Sequence, residues 1–134
     1  MSFIDLGAEY KVYVRSIDYE HEVIAGIVNS IHEATLKTDQ ELTHSELDKL
    51  LKVLKSHFEN EEHLMKENLF PGYFSHKLEH DRFYKQMLTT VEKFDNGEII
   101  FDPIALQSIR RWFFNHIDIN DRKCGQFLSD RGIS

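Results

Sequence analysis

His57-Phe-Glu-Asn-Glu61, His76-Lys-Leu-Glu-His80 and His116-Ile-Asp-Ile-Asn-Asp121, with His21 upstream, set five histidines of this chain beside one glutamate and one aspartate at spacings that suit a metal centre. Residues four apart lie on one face of an α-helix, one turn apart. His57 with Glu61, and His76 with His80, therefore each project as a pair from one helical stripe. Imidazole and carboxylate together suit borderline transition metals such as iron, whereas calcium and magnesium prefer all-oxygen shells. Seven such donors exceed what one ion takes and point to two. A single histidine on an apolar stripe is more often a hydrogen-bonded core residue than a ligand. Five of them, buried with two carboxylates and no cation, would be very costly. Asp121 fits worst. Five residues after His116, it lies about 140° around an ideal helix, so it converges only through local unwinding or a π-bulge.

Four helices position these residues. Asp18 is a plausible N-cap for the first, whose stripe runs His21, Ile24, Ala25, Val28, Ile31 and ends in the polar Lys37-Thr-Asp-Gln-Glu. Thr43 with Glu46 forms a capping-box signature for the second. Its stripe, Leu47, Leu50, Leu51, Leu54, His57, Phe58, Glu61, Leu64, Met65, puts polar donors where the leucines mark the buried face. Phe70-Pro-Gly breaks the pattern, and a third helix from near Phe74 carries His76, His80, Phe83, Met87, Val91 and Phe94. Asn96-Gly97 stops it, Glu98–Phe101 is a short connector, and Asp102-Pro103 opens a fourth helix with Ile109, Trp112, Phe113, His116 and Asn120 on one side. The expectation is an all-α protein: an antiparallel up-down-up-down four-helix bundle forming one domain over 1–134. Its N-terminal arm covers about 1–17, and its helices about 18–37, 43–67, 74–95 and 103–129.

The 134 residues suffice for one domain with a real core. A net charge of −7 argues against nucleic acid as a partner, since phosphate contacts need clustered lysine and arginine. The single cysteine, Cys124, excludes an internal disulfide and Cys-rich zinc or iron–sulfur sites. The N-terminus shows no basic region followed by a long apolar run, and no stretch approaches the roughly 18 apolar residues of a membrane span, so the expected location is cytoplasmic. His32 lies about three turns from His21, too far to share its site. His44 falls near the start of the second helix, His63 sits off the donor stripe, and Cys124 reads as structural or a bystander.

His57-x3-Glu61, His76-x3-His80 and His116-x4-Asp121, together with Asp18-x2-His21, Glu61-Glu62, Pro71-Gly72-Tyr73 and Trp112-Phe-Phe-Asn-His116-Ile117, resemble the hemerythrin family, specifically its bacterial single-domain members, over nearly the whole chain. Leu6 stands where many relatives have Trp, and Tyr13 where Gly is common, which bears on how the arm packs. The resemblance implies that His76, His80 and His116 bind one iron, that His21 and His57 bind the other, and that Glu61 and Asp121 bridge both. With a bridging oxo or hydroxo group, the first iron is six-coordinate and the second only five-coordinate. The open position is where dioxygen, or a small anion such as azide, would bind. Ile24, Trp112, Phe113 and Ile117 would line that pocket, excluding water, and the Trp112 indole N–H would reach a carboxylate.

The implied function is oxygen carriage, storage or delivery, including delivery to a protein partner, rather than enzymatic turnover. The rival readings are a di-iron oxidoreductase acting on peroxide or nitric oxide, and an oxygen- or redox-sensing module. Carboxylate-rich di-iron oxygenases generally show two Glu-x2-His motifs, and the one such triplet here is Glu41-Leu-Thr-His44. The absence of an output segment before Ser134 weighs against a sensor.

Overall fold

A computed structural model describes residues 3–134; Met1 and Ser2 of the expected arm lie outside the described residues. The helices are α1 (Arg15–Leu36), α2 (Gln40–Glu67), α3 (Tyr73–Asp95), α4 (Pro103–His116) and α5 (Arg122–Asp130). Between the last two, Ile117–Asp121 forms a π-turn, so α4, the π-turn and α5 together make the fourth rod of a four-helix bundle. α1 packs on α2 and α4, and α2 packs on α3 and α5. Among the described residues no helix is long and apolar enough to cross a membrane.

Two helix starts differ from expectation. α1 begins at Arg15, ahead of Asp18, whose carboxylate instead reaches back from the first turn to accept the Val12 N–H (2.9 Å) and Tyr13 N–H (3.1 Å). Asp18 still neutralises orphan donors near the helix start, but as an acceptor inside the first turn rather than as the cap. α2 begins at Gln40 because Asp39 is the cap, accepting from Leu42 N–H at 3.0 Å. Thr43 is then already helical and buried, its hydroxyl donating to the Asp39 carbonyl at 2.8 Å. Aspartate is a better N-cap than threonine, and Asp39 comes first in the chain. At α4, Asp102 accepts from Ala105 N–H at 2.9 Å, with Pro103 in the first turn. At the end of α3, Gly97 takes φ +74, a left-handed conformation in which a Cβ would be strained.

The leucine, isoleucine and valine stripes meet in one core through Val28, Ile31, Leu47, Leu50, Met65 and Leu106, all fully buried. The arm crosses this core and is tied to both sides of the bundle. Ile4 exchanges a pair of backbone bonds with the Asn29 amide (2.7 and 3.0 Å). The Arg122 guanidinium donates to the Glu9 carbonyl at 2.6 Å. Gly125 of α5 presses against Val12; a Cβ there would lie 2.5 Å from the Val12 carbonyl oxygen. Between α3 and α4 the contacts are made by large rings, with Phe83 stacked on Trp112 and Phe94 set against Phe101.

Candidate metal centre

The π-turn is the local feature that completes the site. Five residues of α-helix would swing Asp121 well away from His116. The wider turn slows that rotation, and His116 Nε2 comes to lie 3.0 Å from Asp121 Oδ1. α1 then supplies His21, α2 supplies His57 and Glu61, and α3 supplies His76 and His80. All seven side chains are between 0 and 4 % exposed.

Their donor atoms fall into two groups that share both carboxylates. Glu61, His76, His80, His116 and Asp121 form one, and His21, His57, Glu61 and Asp121 the other, each with donor atoms within 4.8 Å of one another. The carboxylates are oriented to match. Glu61 turns Oε1 to His76 (2.5 Å) and His80 (3.4 Å) and Oε2 to His57 (3.5 Å). Asp121 turns Oδ1 to His76 and His116 (3.0 Å each) and Oδ2 to His21 (2.9 Å). One oxygen of each carboxylate thus faces each group, the geometry of a bridging ligand.

The site fits cations better than protons. Both oxygens of Glu61 and of Asp121, both nitrogens of His21 and Nε2 of His76 are buried without a directed hydrogen bond, despite the short separations. His80 Nε2 and His116 Nε2 face each other at 3.0 Å. Lone pairs converging on shared points, with no N–H aimed along the contact, are costly unless a cation sits among them.

The outer ring nitrogens are held as metal-ligand imidazoles usually are. His57 Nδ1 is 2.8 Å from Glu20, which also accepts from Asn60 at 2.7 Å. His80 Nδ1 is 2.8 Å from Glu62. His116 Nδ1 differs: it faces the Asn120 amide nitrogen at 3.1 Å, which donates to Glu79, and the Glu79 carboxylate itself lies 3.8 Å from the ring nitrogen. Spacing and residue type do not single out Glu20, Glu62, Glu79 and Asn120 as donors. A signal existed: each lies beside a donor in the chain or one turn from one, as Glu20 does to His21, Glu62 to Glu61, Asn120 to His116 and Glu79 to His76.

The electrostatics of the metal-free cluster follow from its crowding. Burial disfavours charge on His76, but the Asp121 and Glu61 carboxylates beside it outweigh that and hold its pKa up to about 10. Burial and the Asp121 charge push Glu61 up, yet His76, His80 and His57 outweigh them and hold it at about 2. His21 and His80 are likewise raised against their burial by Asp121 and Glu61 respectively, and Asp121 is held well below the usual range by His116, His21 and His76. Burial, then Glu61 and Asp121, push the Cys124 thiol up, so it stays protonated and inert.

The remaining residues divide clearly. Ile24 and Ile117 are buried, and Phe113 meets the His21 ring edge-on at 5.6 Å. Trp112 is elsewhere: it stacks on His116 at 4.4 Å, beside the five-donor group, rather than at the His21–His57 end. It points that way because it shares the α3-facing side of α4 with His116, one turn on. Among the described residues its indole N–H donates to no carboxylate. His32 stacks on Phe3, His44 pairs with Asp95 (2.6 Å), and His63 is exposed beside Glu67, all apart from the cluster.

Residues 12–128 match the family model described as the hemerythrin HHE cation binding domain. The chain is 29 % identical over 122 residues to a bacteriohemerythrin of Methylococcus capsulatus, covering 91 % of this chain and 93 % of that one. It is 32 % identical to a bacteriohemerythrin of Stenotrophomonas maltophilia, covering 79 % and 69 %. A crystal structure of wild-type hemerythrin superposes with a TM-score of 0.92 at 27 % identity, covering 96 % of this chain and 99 % of the other.

Proposed function

The chain belongs to the hemerythrin family, and on that premise we propose that it holds two iron ions and binds dioxygen reversibly at one of them. His76, His80 and His116 would hold one ion, His21 and His57 the other, and Glu61 and Asp121, which face both donor groups, would serve both. The observation that supports the reading is the asymmetry of the donor groups: both carboxylates are shared, but one group has three imidazoles and the other two. The ion with fewer chain donors would have room for an exogenous ligand. Two iron ions held this way supply the electrons and the one open coordination position that reversible dioxygen binding needs.

The chain's own residues do the rest. Glu20 and Glu62 fix the rings of His57 and His80, so that each Nε2 is presented without rearrangement. Glu61 and Asp121, both fully ionised, offset the charge of the cations. Ile24, Phe113 and Ile117 surround the two-imidazole end with apolar surface that excludes water and protons. Among the described residues the titratable side chains at that end are His21, His57, Glu61 and Asp121, all of them metal donors in this reading, which favours binding over turnover.

Counting metal per chain and recording whether oxygen taken up by the reduced protein is released intact under vacuum test the proposal. Two irons with reversible uptake are expected. One iron, or zinc after growth in iron-replete medium, would end the di-iron reading. Irreversible oxidation in air with rapid consumption of peroxide or nitric oxide would replace carriage by an oxidoreductase activity.

A further inference from the structure

The outer nitrogens of His57 and His80 each face a carboxylate oxygen at 2.8 Å, from Glu20 and Glu62. His116 is met differently. Among the described residues two polar side chains reach its Nδ1: the Asn120 amide nitrogen at 3.1 Å and Glu79 Oε1 at 3.8 Å. The same amide nitrogen donates to the other carboxylate oxygen, Glu79 Oε2. Glu79 stands one residue before His80, about 100° around α3, on the flank turned to α4. The His116 ring has little freedom to seek a partner elsewhere. Trp112 stacks on it at 4.4 Å and 11°, which fixes its plane, and its Nε2 is turned to Asp121 at 3.0 Å.

Once His116 binds a cation through Nε2, donors and acceptors no longer balance in that arrangement. A neutral imidazole that ligates through one nitrogen carries its proton on the other, and that N–H needs an acceptor. An amide NH2 only donates. Turning the amide over does not repair this, because the atom that faces Nδ1 also faces Glu79. A carbonyl oxygen placed there would serve the ring and oppose the carboxylate. One arrangement satisfies every group: Glu79 accepts the ring N–H at Oε1 and the Asn120 N–H at Oε2.

We propose that Glu79 is the positioning residue of His116, closing the 3.8 Å gap when the three-imidazole group takes up its ion, and that Asn120 holds the carboxylate rather than the ring. This rests on the reading of the cluster as a metal centre. Among the described residues no lysine or arginine pairs with Glu79, so the carboxylate is free to turn. All three outer nitrogens then meet carboxylates, whose charge-assisted bonds are stronger than those of a neutral amide. The Glu79 side chain is 44 % exposed, against 21 % for Glu20 and 14 % for Glu62. Water competes most at Glu79, which puts its effect at the low end of the 10–100-fold that such partners contribute to metal affinity.

Zinc(II), a diamagnetic probe, loaded into the metal-free chain tests this by nitrogen-15 NMR of labelled histidines, which reads the ring nitrogen that bears a proton. In the zinc-loaded parent, His116 Nδ1 should carry a proton in slow exchange with water. Glu79→Ala should lose that signal to exchange and weaken zinc at the three-imidazole group by about tenfold in chelator competition. Glu79→Gln keeps an acceptor and should recover part of both, whereas Asn120→Ala should keep the signal. Both positions are partly exposed on helices, so alanine is tolerated there. Retention of the protected N–H in Glu79→Ala, or its loss in Asn120→Ala, would overturn the proposal. A parent that takes up neither zinc nor iron(II) would end the metal reading and this assignment with it. A zinc-loaded parent with an unprotonated His116 Nδ1 would end the assignment alone.

Discussion

His116 Nε2 and Asp121 Oδ1 stand 3.0 Å apart across a π-turn, the one such turn among the described residues. A π-turn carries poorer backbone geometry than the α-helix on either side, so it persists where something over-determines it. Here α5 is anchored beyond it by Gly125 against Val12, and Asp121 is surrounded by His21, His76 and His116. Asp121 faces both donor groups, as Glu61 does, and each should be needed for both ions. Asp121→Ala and Glu61→Ala are expected to lose the paired site, whereas His32→Ala and His63→Ala keep two irons per chain. Two irons with an unchanged optical spectrum in Asp121→Ala would show that the π-turn serves something else.

Glu20 and Glu62 each hold the outer nitrogen of a donor histidine at 2.8 Å, on opposite sides of the cluster. Removing such a partner frees the ring to rotate and lowers ligand basicity, costing about 10–100-fold in metal affinity. Glu20→Ala should weaken the two-imidazole ion and Glu62→Ala the three-imidazole ion. Glu20→Gln and Glu62→Gln, which keep an acceptor, should recover part of the loss. Competition with a graded series of chelators reads this directly, and unchanged affinity in both alanine variants would refute it.

The metal-free chain should have a bell-shaped stability profile. Glu61 is lowered from 4.5 to about 2, so its contribution is complete above pH 4.5 and is lost as pH falls toward 2. His76 is raised from 6.5 to about 10, so its contribution is complete below pH 6.5 and is lost as pH rises toward 10. The two windows overlap between 4.5 and 6.5, where the maximum is expected. Cations compete with those protons, so metal should stabilise most on the alkaline side. Thermal melts of chelated protein that keep rising from pH 6.5 to 10 would contradict the assignment.

Much of this architecture was legible because chemistry and packing share one stripe. The run Leu47 to Met65 gives both the helix and the inward face of His57 and Glu61, and the Asp102-Pro103 and Asn96-Gly97 boundaries follow from backbone constraints that hold in any context. The start of α2 was misread because Thr43-x2-Glu46 satisfies a local capping rule that Asp39 satisfies four residues earlier. Periodicity places a residue on a face but not on one flank of it. That is how Trp112 was grouped with Ile24 although it packs on His116. The π-turn could be required from spacing but not located, since its cause is the convergence of three other helices on Asp121.

Tyr13 takes φ +64, the left-handed region, while its side chain is largely exposed. A non-glycine residue there costs about 1–2 kcal/mol, whereas glycine's extra unfolded-state freedom costs about 0.5–1 kcal/mol. Little packing is lost with the ring, so Tyr13→Gly should raise the melting temperature slightly, by up to about 1 kcal/mol in stability. Denaturant unfolding that shows a loss of more than this would mean that the ring packs more than its exposure suggests.

The last expectation concerns water at the two-imidazole end. Ile117 is fully buried and opens the π-turn immediately after His116, Ile24 lies one turn along α1 from His21, and Phe113 meets the His21 ring edge-on. If these side chains keep water and protons from the oxygen-binding position, a hydroxyl introduced there should speed autoxidation. Ile117→Val and Ile117→Thr separate polarity from shape, because valine and threonine are nearly isosteric. The valine variant removes one methylene and should cost about 0.5–1.5 kcal/mol. The threonine variant adds a polar group that attracts water into the pocket. Both should retain the iron content of the parent, since no donor atom changes. The threonine variant should lose its oxygenated spectrum measurably faster than the valine variant in air, and azide should bind the ferric form of all three in competition with oxygen's position. Equal decay rates for valine and threonine would remove Ile117 from the water barrier. Failure of azide to bind the parent would count against an open position at that ion.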